Sequence, residues 1–320
     1  MDAEPTDTER VNAGLTPAQR EILEKLRGGD RDRPVFAAAL RDEVRARLEE
    51  ELAPIAGDLG TDLLWIGKSA LGRVHACEAH QVAVAGEPFE WSVAAARGTL
   101  AHKAIELSVH ARGEPTPLDL VDRALDRLAD GPDQLAAYLR ALDEVDRAEL
   151  RAAVNELVVK FQELWPPLRR RWLPSTESAL RLELFGGRVV LRGRVDLTLG
   201  RAHGDRAGKL VVDLKSGGSH AGHLEDLRFY ALLETVRVGV PPFRLATYYL
   251  DGGTFVAEDV TEGVLEAAMR RTVAGARKLA DLQLGLRSPV VTPNPACRWC
   301  PAREGCDGAR QWEDAAPDRW

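Results

Sequence analysis

Asp213 and Lys215, in Val212-Asp213-Leu214-Lys215, stand two apart at the end of an apolar run. On a strand, residues two apart point to the same face. An aspartate and a lysine there are costly to bury unless they pair or act on something. Asp196, in Gly193-Arg194-Val195-Asp196, falls on the strand before it. The two aspartates together make a hard-oxygen pocket suited to Mg²⁺ or Mn²⁺. Such an ion orients a water and polarises a phosphate, while Lys215 holds or activates the nucleophile. The same residues also fit a plain buried Asp–Lys ion pair with Asp196 at a turn. His102 and Glu106 are i, i+4 on a helical stretch, and so are Asp226 and Tyr230 on a later one. Each pair shares a helix face. Alone, the first fits a surface and the second a core.

The four cysteines form a second constellation. Cys297-x2-Cys300-x5-Cys306 lies beside Pro295, Pro301 and Gly305, and Cys77 is far upstream. Reduced thiols at this spacing read as a ligand loop better than as core residues. Four thiolates suit tetrahedral zinc or an iron–sulfur cluster, and spacing alone does not choose. His75 and His80 flank Cys77, so a mixed Cys/His zinc site also fits. The most basic window is Leu168-Arg169-Arg170-Arg171-Trp172. It could contact a nucleic-acid backbone and stack a base, or simply be a solvated helix end.

Elements of both periods must position these residues. Residues 16–52 read as two helices, with Thr16-Pro17 starting the first and Gly28-Gly29 and Pro34 separating them. Residues 63–77 show no clear class. Val82 to Val93 reads as a short extended hairpin around Ala85-Gly86-Glu87-Pro88. Arg97 to Ala111 is helical, and 117–165 is helical with a break at Gly131-Pro132. After Pro174 the period becomes two. Ala179–Phe185 and Val189–Leu199 are strands joined across Gly186-Gly187, and Lys209–Leu214 is a third, apolar on both faces. A helix over His223–Val238, a hairpin of Leu245–Leu250 and Thr254–Asp259, and a helix over Thr261–Leu284 follow. The order predicts an α/β fold with a mixed sheet.

Composition narrows the class. The chain has 320 residues, 45% hydrophobic and 29% charged, enough for a globular core without disulfides. No apolar stretch approaches the ~18 to 20 residues of a membrane helix. The acidic start, Met1-Asp2-Ala3-Glu4-Pro5, lacks the pattern of a signal peptide, so a cytoplasmic location is expected. A net charge of −7 argues against coating nucleic acid by bulk charge, yet allows a local basic groove.

The ordered set Gly98-Thr99-x2-His102-x3-Glu106, Gly193-x2-Asp196, Asp213-x-Lys215, Asp226-x3-Tyr230 and the cysteine loop resembles the RecB-like branch of the PD-(D/E)XK nucleases. More narrowly it resembles the branch with one cysteine before the nuclease motifs and three after, which includes the AddB nuclease domain and CRISPR-associated RecB-like exonucleases. The resemblance covers residues 63–310. It implies a restriction-endonuclease-like mixed sheet flanked by helices, with a helical N-terminal extension over 1–62, a helical insert over 113–175 and a tail over 311–320. It implies that His102, Asp196 and Asp213, helped by the backbone carbonyl of Leu214, ligate Mg²⁺ or Mn²⁺, and that Lys215 is the catalytic lysine. Cys77, Cys297, Cys300 and Cys306 would hold a [4Fe–4S] cluster, with Zn²⁺ as the alternative. Tyr230 would lie near the DNA. Where the family has Gln, this chain has Asp226.

The expected activity is metal-dependent hydrolysis of DNA, single-stranded and from an end, with Arg169, Arg170 and Arg171 on the DNA backbone. Helicase, repair or defence proteins are the partners the resemblance implies, and no membrane is involved. Two other readings use the same features: a non-catalytic nucleic-acid-binding or scaffold subunit, and a zinc-stabilised binding protein.

Overall fold

A computed structural model describes residues 14–29, 32–111 and 113–315. The expectations for the first residues and for the end of the tail lie outside these. The first helix, α1 (Pro17–Arg27), begins at a capping box in which Thr16 and Gln19 satisfy each other's backbone N–H groups. α2 (Leu40–Asp58) buries Val44, Leu48, Leu52 and Ile55 along one stripe. Next come β1 (Leu64–Ile66), α3 (Lys68–Ala76), α4 (Glu78–Gly86) and α5 (Val93–His110). α6 (Pro117–Ala129), α7 (Gln134–Ala141) and α8 (Glu144–Leu164) are capped by Thr116, Asp133 and Asp143, respectively. The rest is β2 (Ser175–Leu184), β3 (Val189–Leu199), β4 (Leu210–Lys215), α9 (Gly222–Val238), β5 (Arg244–Tyr249), β6 (Thr254–Asp259), α10 (Glu262–Gln283) and α11 (Asp307–Asp314).

The strands form one mixed sheet of six. β2 lies antiparallel along the whole of β3, from Ser175 opposite Thr198 to Leu184 opposite Val189. The other edge of β3 is shared. Its first residues pair in parallel with β1, Leu64 opposite Val189, and its last pair antiparallel with β4, Leu197 opposite Val212. Between these two partners, Arg192 to Asp196 has no strand on that side. β5 continues parallel to β4, and β6 closes the sheet antiparallel to β5. β4 is buried on both faces, as a central strand must be.

The helices cover the two faces unequally. α9 is buried nearly all round, because it lies between the sheet and the helices α10 and α2. α5 packs with α6 and α8, and touches β2. One core cluster runs from Ile22 to Ala280 through all of these elements. The fold is the restriction-endonuclease-like mixed sheet flanked by helices. No helix among the described residues is long and apolar enough to cross a membrane.

Local expectations are corrected, among them the strand expected from Ala179, which begins at Ser175. The hairpin over 82–93 is absent, and 78–86 is the helix α4. Val82 and Val84 mimic strand alternation, but the helix is held by Glu78 and Gln81, both buried, the latter accepting from Arg73 Nε at 2.8 Å. The unassigned stretch 63–77 is β1 followed by α3. The helix expected from Arg97 begins earlier, at Val93, because Ser92 caps it by accepting from Ala95 N–H.

Candidate active site

The hairpin β2–β3 brings Glu177 directly opposite Asp196, midway between the pairs Thr176–Leu197 and Ser178–Val195. Like charges in that position repel. Glu177 also has φ 52°, a left-handed conformation that residues other than glycine rarely adopt. α5 lays His102 over the two carboxylates, with Nδ1 3.7 Å from Asp196 Oδ1 and 3.9 Å from Glu177 Oε1. The other ring nitrogen, Nε2, is 3.0 Å from the Leu214 carbonyl oxygen. A carbonyl only accepts, so Nε2 carries a proton and Nδ1 is the nitrogen turned to the carboxylates.

One ligand atom each from His102, Glu177 and Asp196 lies within 4.8 Å of the other two, so these three could hold one metal ion. Burial and then the neighbouring charge of Asp196 push the Glu177 carboxyl up. Burial pushes Asp196 up as well, with Asp213 adding to it and His102 opposing. Two carboxylates held face to face with an imidazole nitrogen beside them are a donor set that fits a divalent cation.

Asp213 is placed differently. It is 0% exposed, with Oδ1 2.8 Å from Lys68 Nζ and Oδ2 2.7 Å from Lys215 Nζ. Burial disfavours its charge, yet Lys68 and then Lys215 overcome that and hold the carboxyl below its usual range. Asp213 is thus clamped between two ammonium groups beside the three-residue centre. The backbone of Leu214 bridges the two halves: its N–H donates to Asp196 Oδ2 at 2.7 Å, and its carbonyl accepts from His102. Lys215 Nζ is also 3.8 Å from Asp226, whose carboxyl is pushed up by burial against the pull of Lys68 and Lys215. A cleft of about 680 Å³ opens over the centre, lined by His102, Lys103, Glu106, Glu177, Arg194 and Lys215 among others.

The sequence-predicted residues His102, Asp196, Asp213, Leu214, Lys215 and Asp226 therefore come together. Tyr230, expected at the DNA, is 1% exposed, its ring against Gly193 and 5.1 Å from Lys68 Nζ. Burial pushes its hydroxyl up to about 12. Arg169, Arg170 and Arg171 lie at a short turn beyond the C-terminal end of β3, where the Trp172 carbonyl accepts from Gly200 N–H. Trp172 packs there with Leu15 and Leu23. Glu106 pairs with Lys103 at 2.9 Å.

Glu177 and Lys68 were not foreseen. A signal for Glu177 existed: it and Asp196 are equidistant from the Gly186-Gly187 turn, so a tight hairpin makes them cross-strand partners. Lys68 has no such signal, since it lies in the stretch without periodicity.

The cysteines gather at the junction of α3 and α4 with the C-terminal segment. Cys77 and Cys297 are buried, and Cys300 and Cys306 are half-buried. Burial pushes the Cys300 thiol up, and the charges of Cys77, Cys297 and Cys306 act in the same direction, so the four sulfurs are within electrostatic reach of one another. Backbone N–H groups of Thr292 and Asn294 point at the sulfurs of Cys77 and Cys297, each at 3.4 Å. Amide donors aimed at sulfur favour thiolates. His75 is turned away, its Nε2 on the Arg271 carbonyl at 2.9 Å.

No curated protein matches the chain. Among solved structures, one described as a presumed exonuclease from Eubacterium rectale is similar with a TM-score of 0.45 and 12% identity, over 77% of this chain and 87% of that one. The structure of SSO0001 is similar with a TM-score of 0.32 and 17% identity, over 66% of this chain and 95% of that one. The family profile of the PD-(D/E)XK nuclease superfamily matches residues 71–307, which include every residue of the centre except Lys68. The chain belongs to the PD-(D/E)XK nuclease superfamily.

Proposed function

We propose that this chain is a metal-dependent DNA nuclease of the RecB-like branch, acting on single strands from an end and carrying a structural [4Fe–4S] cluster. The observation that carries the reading is the juxtaposition of the His102/Glu177/Asp196 set with the Lys68–Asp213–Lys215 clamp around Leu214. Mg²⁺ or Mn²⁺ held by His102, Glu177 and Asp196 would supply an acidified water and a Lewis acid for the phosphate. The chain's own residues do the rest. Lys215, 20% exposed and lining the cleft, is positioned to neutralise charge developing on the phosphate. Asp213, clamped from the other side by Lys68, fixes the Lys215 ammonium against the centre. His102 is oriented by the Leu214 carbonyl, so its free nitrogen faces the carboxylates.

Degradation of end-labelled single-stranded DNA with Mn²⁺ tests the activity. Wild type cuts, and Lys215→Ala loses about 100-fold or more, the scale of removing one preorganised charge partner. Wild type that cuts neither single nor double strands overturns the reading. For the cysteines, anaerobically purified protein contains iron and absorbs in the visible, and Cys300→Ser loses both. Zinc in place of iron would reject the cluster.

A further inference from the structure

A row of side chains leads away from the centre along the sheet. On the β2–β3 ladder, Glu177 faces Asp196, Ala179 faces Arg194, and Arg181 faces Arg192. Cross-strand partners share a face, and alternate residues of one strand share it too. Trp65 on β1 pairs with Val190, the next position in the same row. The indole confirms this: the guanidinium of Arg192 lies 4.7 Å and that of Arg181 5.1 Å from its ring centre. From Val190 to Asp196 this face of β3 extends about 20 Å.

This face is open. The Arg194 side chain is 69% exposed, and Trp65 is 39% exposed although it is the largest apolar residue on the face. Ala179 is exposed and short, so the floor between the arginines and the centre is low. Arg194 also lines the cleft over the centre, which makes the row continuous with it. The acidic neighbours are Glu177, 3.5 Å from Arg194, and Glu183, 2.6 Å from Arg181. Arg181 directly opposite Arg192 is a like-charge pair, unfavourable for the sheet by itself. An anion between them would relieve it.

We infer that this face is a track for single-stranded nucleic acid, with Arg194 on one phosphate, Arg192 and Arg181 together on another and Trp65 stacked on an unpaired base about 20 Å from the centre. The inference rests on the nucleic-acid substrate proposed above and adds where the strand runs. A protein with a net charge of −7 needs such a local path to hold a polyanion. A duplex does not satisfy it, because its base faces are hidden in the stack and cannot reach the indole.

The test is equilibrium binding of a fluorescent oligo-dT strand to the full chain in buffer without divalent metal, so that it reads binding whether or not the chain cuts. Trp65→Ala weakens binding about tenfold and Trp65→Phe restores most of it, because the phenyl ring still stacks. Arg192→Gln, on an exposed side chain, weakens binding and lowers the magnitude of the salt slope by about 0.7, the share of one phosphate contact on a single strand. Blunt duplex binds more weakly, and its affinity is insensitive to Trp65→Ala. Unchanged oligo-dT binding in the Trp65→Ala/Arg192→Gln double variant overturns the track. So does equal loss on duplex and single strand. Failure of cleavage with intact, Trp65-dependent binding would reject the nuclease reading and leave the track standing.

Discussion

Glu177 brings the most tension to the centre. Its backbone is left-handed, its carboxylate faces Asp196, and burial pushes both groups up, helped by the charge of Asp196 at Glu177 and by that of Asp213 at Asp196. A carboxyl raised in the folded state opposes folding in full above its folded pKa, and that penalty is absent below the unfolded value. Glu177→Gln therefore stabilises the metal-free protein at pH 8, raising its thermal midpoint by roughly 2 °C, and the gain fades as pH falls toward the ordinary carboxylate value and is gone below it. The same substitution removes a charged ligand, so Mn²⁺ binding followed by calorimetry weakens at least tenfold. If metal affinity is unchanged, Glu177 is not a ligand.

At the scale of elements, Gly193 decides how α9 meets the sheet. A Cβ there would overlap the Tyr230 ring. Gly193→Ala forces the ring or the strand to shift, at a cost of about 1 to 3 kcal/mol in urea unfolding, while a change confined to the surface would leave the midpoint where it is. Much of this arrangement was readable in advance. Asp196 stood on a predicted strand, Asp213 and Lys215 stood at the end of an apolar strand expected to stop at Leu214, and β3 and β6 have the predicted bounds. His102 lay on a helix whose only error was a late start. What failed was local. The alternating Val82 and Val84 read as a strand, while tertiary partners of Glu78 and Gln81 made a helix. Lys68 was hidden because a three-residue strand and a nine-residue helix carry too little periodicity to register. Glu177 needed the hairpin register and not a motif, and its left-handed backbone leaves no mark in composition.

Over the whole molecule, α3 links the two constellations: Lys68 starts it at the centre, and Cys77 follows its last residue. Beyond Cys77, Glu78 fastens the C-terminal segment. It pairs with Arg287 at 2.6 Å and Lys278 at 3.4 Å, and it accepts from Val290 N–H. Hydrogen bonding from Arg287 leads the causes that hold its carboxyl at about 2. A depressed carboxyl contributes stability that is complete above the unfolded value and is lost as pH falls toward the folded one. Glu78→Gln consequently destabilises the protein at pH 7, and the difference from wild type narrows by pH 3 in thermal melts. A gap of equal size at both pH values would mean that packing, not charge, is what Glu78 supplies.

The shared edge of β3 also bears on how the chain folds. β2 and β3 close locally across a two-glycine turn, whereas β1 must return over the whole helical stretch between them to pair with Val189–Leu191. Loop-closure entropy makes that long-range parallel pairing the slower event. Glu177 and Asp196 thus meet early in the nascent hairpin, and the Lys68 ammonium reaches Asp213 only when β1 docks and carries α3 with it. Until β1 docks, the carboxylate cluster lacks one of its two lysines.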